Sequence, residues 1–167
     1  MVLILVAGTI VATQLRSSVF ESRRTAVLSD AALRFSTAQS VFDQSTASTP
    51  DQIQESTRQL ATSLRVSASG TGAVSVLLLR SESQSQSLRI NEIVDPTVLG
   101  VISEEMKNAV AGSTDPQWQS VSIPSARDAN QRVPAILVGR NVQVPRAGTH
   151  QLYIVYSLQA DQERIDT

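Results

Sequence analysis

Arginines are the residues here with the clearest capacity for recognition chemistry. Arg127 and Arg132 bracket Asp128 in a polar stretch, Arg140 interrupts an otherwise apolar run, and Trp118 lies on the strand-like segment before them. A guanidinium offers a planar fork of donors suited to carboxylate or phosphate, so Arg127, Arg132, Arg140 and Trp118 form a candidate ligand-binding set. The competing reading is a solvated loop plus a surface arginine paired to an acid, which is how most charge clusters behave.

Other chemistry is sparse. His150 is the only histidine. A catalytic histidine needs a positioned nucleophile and an orienting group, and neither is evident in the sequence, so His150 reads as an ordinary strand-edge residue. Glu104 and Glu105 are adjacent on a helical segment and point about 100° apart, which favours a solvated face over a shared metal or proton. Gly70-Thr71-Gly72 lacks the third glycine and the strand-to-helix context of a dinucleotide loop and reads as a turn. There is no cysteine, hence no disulfide framework, thiolate nucleophile or cysteine-bound metal. No cofactor, metal site or catalytic group is expected, and the chain reads as non-enzymatic.

The composition sets wider bounds. The 167 residues, 41% hydrophobic and 17% charged, suffice for one domain with a real core. A net charge of -1 argues against nucleic acid as a partner. Lys107 is the only lysine among the basic residues.

The elements that would position these residues follow from periodicity. Residues 1–15 are apolar and uncharged after Met1, too short to cross a bilayer core of about 30 Å and without the basic start of a signal peptide. They are expected to be the outer part of a transmembrane helix, with Met1 an added start. A buried soluble helix is the alternative. No Gly or Pro interrupts the continuation, so one long stalk helix is expected to about Phe42. Its stripe of Leu28, Phe35 and Phe42 packs on the domain's own sheet, forms a seam with a second copy, or does both. Thr49-Pro50-Asp51-Gln52 has the form of a capping box opening a second helix over about Asp51 to Arg65. Ala73 to Arg80 reads as a buried strand and Leu88 to Val94 as a weak alternating one. Asp95-Pro96 starts a helix with Val98, Ile102, Met106 and Val110 on one face. Trp118 to Ile123 is a strand, and Pro134 to Val142 with Gln151 to Ser157 form a hairpin around Pro145 to Gly148. Residues 158–167 read as a helix start leading toward a second transmembrane segment. The expected fold is α+β: a central antiparallel sheet of about five strands flanked by helices, on the plan of PAS-like (PDC-like) extracellular sensors, with residues 16–157 as the sensor domain.

The stretch Val133 to Ile165, VPAILVGRNVQVPRAGTHQLYIVYSLQADQERI, resembles the end of the extracellular domain of the MtrB-type sensor histidine kinases of actinobacteria. The shared features are a Pro-Ala-hydrophobic strand carrying a glycine, a polar turn, and a Leu-Tyr-hydrophobic strand, here Leu152 to Leu158. Val11 to Ala32 is similar to the first transmembrane helix and stalk of that family. The resemblance implies a two-component receptor concerned with the cell wall, cell division and osmotic stress. It implies a homodimer in the plasma membrane with this domain on the extracytoplasmic side. It also implies a cytoplasmic MtrA-type response regulator and a membrane lipoprotein partner of LpqB type. The kinase part of such a receptor is absent from these residues. The rival expectation is a membrane-anchored structural protein of pilin or adhesin type, although the processing glycine and early glutamate of pilins are missing.

Overall fold

The structure is a computed structural model and describes residues 18–81, 88–125, 127–128 and 130–158. The expected transmembrane segment (residues 1–15) and all but Leu158 of the helix start expected at 158–167 lie outside the described residues. No described helix is long and apolar enough to cross a membrane.

Helix α1 runs from Ser18 to Asp43. It buries Val27, Ala31, Phe35, Ala38 and Phe42, spaced three and four apart so that they share one side of a helix. Helix α2, Pro50–Ala68, opens as the sequence predicts. Thr49 Oγ1 accepts from Gln52 N at 3.2 Å, and Gln52 Oε1 accepts from Thr49 N at 3.4 Å. Ile53, Leu60 and Leu64 supply its buried side.

Four strands follow: β1 (Ala73–Arg80), β2 (Gln117–Pro124), β3 (Arg132–Val144) and β4 (Gly148–Ser157). They form one antiparallel sheet in the order β1-β4-β3-β2. Two short helices, α3 (Pro96–Leu99) and α4 (Glu104–Ala111), lie between β1 and β2 in the chain. Side chains alternate across a sheet, and each face has its own core. Val76, Leu78, Ile136, Val138, Leu152, Ile154 and Tyr156 face α1 and α2. Leu77, Leu79, Leu137, Tyr153 and Val155 face Val98, Ile102, Met106 and Val110 from the α3–α4 side. The interior strands β3 and β4 are covered on both faces, and their middles, Ala135 to Val138 and Leu152 to Tyr156, read as continuous apolar runs.

Two expectations are corrected. Among the described residues the sheet has four strands, where about five are expected. In the expected strand Leu88 to Val94, only Ile93 bridges β1, exchanging hydrogen bonds with Leu78 at 2.8 and 2.9 Å. Side chains hold the backbone groups that a strand neighbour would have paired. Gln54 bonds both N and O of Asn91, and Arg80 Nη2 donates to Ile90 O at 3.0 Å. The helix expected after Asp95 is two helices. Gly100 ends the first, and Ser103 Oγ caps the second by accepting from Met106 N at 3.0 Å. The apolar face survives the break because Val98, Ile102, Met106 and Val110 are all buried.

Candidate functional site

The four candidate ligand residues are distributed over the sheet. Arg132 pairs with Pro124 at one end of the β2–β3 ladder, whereas Arg140 lies just beyond the Gln117–Gly139 pair at the other. Eight residues of strand separate them, about 26 Å at the rise of a β-strand. Arg132 donates to the hydroxyl and carbonyl of Ser122, and Arg127 is exposed in the β2–β3 connection. The Trp118 ring is buried on the α1 face, with the Arg24 guanidinium 5.4 Å from its centroid, a cation–π contact that ties α1 to β2. Arg140 is half-buried opposite Leu152 on β4. These residues do not converge on one ligand.

The residues expected on a stalk seam lie largely inside the chain's own core. Phe35 and Phe42 are 0% and 3% exposed, and Leu28 packs half-buried beside them. Burying a phenylalanine side chain contributes about 1.5–3 kcal/mol, which a seam using these rings would have to replace. Among the described side chains of α1, the large apolar ones that are exposed are Leu33 and Val41, at 57% and 42%.

Two other arrangements stand out. The first joins the start of α1 to the end of β4. Arg23 Nη2 donates to Thr71 O at 2.6 Å, and Ser157 N donates to Gly72 O at 2.9 Å. Gly72 has φ 106°, and a Cβ there would meet Ser157 O at 2.8 Å and Arg23 Nη2 at 2.9 Å, so only glycine fits between them. One layer in, Tyr156 Oη donates to Asp30 Oδ2 at 2.7 Å. Asp30 Oδ1 accepts from Arg34, whose guanidinium also reaches Ser67 O on α2. Burial, reinforced by the Asp30 carboxylate, pushes the Tyr156 phenol far above its ordinary pKa.

The second is a cleft of about 970 Å³ at the opposite pole, where α4 and the Arg89–Glu92 segment meet the far ends of β1, β3 and β4. Arg80, Arg89 and Lys107 line it together with Glu92 and Glu104. Glu92 accepts from Arg80 N at 2.8 Å, and Glu104 accepts from Lys107. Gln151 is held by Lys107 O and by the Tyr153 hydroxyl, while Asn141 Nδ2 donates to Val110 O at 2.9 Å. Asn141 Oδ1 is buried without a partner among the described residues. Nothing local in the sequence marks this cleft, because its walls come from six separated segments.

His150 is corrected from a strand-edge residue to a core one. It lies on the interior strand β4 between Arg80 and Val142, 2% exposed. Its Nδ1 lies 3.0 Å from Gly148 O, and Nε2 has no partner among the described residues. Burial holds its pKa below the ordinary histidine value.

No protein-family model matches the chain, and no curated protein matches it.

Proposed function

We propose that the chain is the extracytoplasmic sensing domain of a membrane-bound sensor histidine kinase of the MtrB type, a homodimer that responds to cell-wall or osmotic stress. One observation carries this reading: the first described helix and the last described strand meet at one pole, around Gly72. A domain inserted between two membrane helices needs its incoming and outgoing segments side by side, since both must return to the same bilayer. The long α1, the sheet flanked by helices, and the single Ile93 bridge where a fifth strand would run agree with a PAS-like plan. The resemblance read in Val133 to Ile165 points the same way.

In this role α1 and β4 act as the two rods of a signalling device. The Tyr156–Asp30–Arg34 contact couples them, so a ligand or partner that favours one arrangement of the fold shifts α1 relative to β4. This chain supplies no phosphoryl chemistry. That would belong to the kinase part, with an MtrA-type regulator as its substrate and an LpqB-type lipoprotein as the outer partner.

The reading frame on both sides of these residues tests the proposal. It requires an apolar stretch of about 20 residues beyond Thr167, followed by a histidine-containing kinase core. A frame that stops without one sinks the receptor reading and leaves the anchored structural protein as its replacement.

A further inference from the structure

We propose that His150 and the segment Leu88 to Val94 form an acid-released latch, in which a proton on the imidazole frees the segment from β1 and from the β3–β4 turn while the sheet stays folded. The latch needs nothing outside this chain, so it goes beyond the receptor reading and holds with or without a kinase attached. The first ground is where the ring sits. His150 stands opposite Arg80 on one side and Val142 on the other, on the sheet face that carries Leu78 and Leu152. Its Nδ1 lies 3.0 Å from Gly148 O, a contact that is favourable only when Nδ1 carries the ring's proton. A second proton would have to go on Nε2, which is buried without a partner among the described residues. That proton would create a buried donor with no acceptor, on a cation set directly across from a guanidinium. Two charged groups act on the ring, Arg80 against the added proton and Glu92 in its favour, and Val142 brings no charge. Glu92 belongs to the segment that leaves, so its help is not tied to the sheet.

The second ground is how the segment is held. Leu88 N donates to Arg146 O at 2.8 Å in the turn before His150, and Arg80 Nη2 donates to Ile90 O at 3.0 Å across from it. The segment therefore passes the ring between these two anchors, and the guanidinium that a charged ring repels is itself one of them. The remaining ties are the bonds of Gln54 to Asn91, the Leu78–Ile93 bridge, and Glu92 on Arg80 N. Of the seven residues Leu88 to Val94 only Ile90 is buried. Lifting the segment takes one apolar side chain out of the core, whereas separating β4 from its neighbours would open both faces of the sheet, so the local route is the cheaper one. Once the segment lifts, Nε2 can take a proton from solvent. Arg80 Nε, also buried without a partner among the described residues, reaches water in the same movement. The open form binds a proton that the closed form refuses, and acid draws the equilibrium toward it.

Amide hydrogen exchange of the whole chain, with each rate divided by the intrinsic rate at the same pH, tests the latch. Leu88, Asn91 and Ile93 are the segment's hydrogen-bonded amides. Since an exposed imidazole titrates near about 6.5, their protection is expected to fall about tenfold or more from about pH 7 to about pH 5, while that of Val138 and Ile154 in β3 and β4 falls by much less. His150→Gln, which cannot take the proton, is expected to hold the segment's protection constant over this range. Should that variant fail to fold, the native chain still decides, because its only histidine gives a single ring signal in proton NMR. That signal and the segment's amide signals are expected to change with one common midpoint. Segment protection that ignores pH, an equal loss in the segment and in β3 and β4, an undiminished loss in His150→Gln, or a ring that titrates while the segment's signals stay in place would each overturn the proposal. None of these readings involves a kinase, so a reading frame without one removes the receptor reading and leaves this result standing.

Discussion

Tyr156 and Asp30 are 126 positions apart in the chain and joined by a 2.7 Å hydrogen bond from the phenol to the carboxylate. Asp30 is largely shielded, its side chain 12% exposed, and its other oxygen is held by Arg34 at 3.0 Å. The bond therefore links β4 to α1 where solvent competes weakly.

Tyr156→Phe keeps the ring and deletes the donor. It is expected to cost about 1.5–3 kcal/mol, as for a hydrogen bond to a charged group, read as a lower urea midpoint at constant slope. Combined with Asp30→Asn it should cost less than the sum of the two single changes. Strict additivity would show that the two residues are not coupled.

Stability should fall at alkaline pH. Burial, followed by the charge of Glu104 for Tyr153 and by Asp30 for Tyr156, raises both phenols above their ordinary value of 10.0. The unfolded chain then loses these protons first as pH passes 10, so stability is complete below about pH 10 and is lost above it. Tyr156→Phe should flatten part of that slope in urea titrations. An unchanged slope would place the ionising groups elsewhere.

His150 gives the opposite dependence. Its folded pKa lies below 6.5, first because of burial, with Arg80 lowering it and Gly148 O and Glu92 opposing. As pH falls through 6.5, the unfolded chain takes up a proton that the folded chain refuses. Stability is thus present above about pH 6.5 and lost on acidification toward the folded value. Between about pH 7.5 and about pH 5.5, His150→Gln should lose less stability than the native chain. A parallel decline would rule out this imidazole as the source.

Gly72 and Gly70 form a matched pair. Gly72→Ala combines a positive φ with contacts to Ser157 O and Arg23 and should destabilise by about 1–3 kcal/mol. Gly70 has open space where a Cβ would go, so Gly70→Ala should be neutral or slightly stabilising. Thermal midpoints of the two variants decide this, and similar values would mean that the junction around Gly72 is not tightly packed.

The sequence by itself determined the elements whose signals are local. The capping box at Thr49, the apolar run Ala73 to Arg80, the hairpin around Pro145 to Gly148 and the stripe through Phe35 and Phe42 are patterns of neighbouring residues, and each lies where its spacing predicts. Only tertiary structure decided the rest. Leu88 to Val94 alternates like a strand, yet Gln54 and Arg80 engage its backbone from other elements, so propensity yielded to side-chain capture. Arg127, Arg132, Arg140 and Trp118 looked like a site because they are close in sequence, but strand direction carried them to opposite ends of a ladder. The cleft around Arg80, Arg89 and Asn141 and the Tyr156–Asp30 bond had no sequence signal, because strand order and register alone bring those residues together.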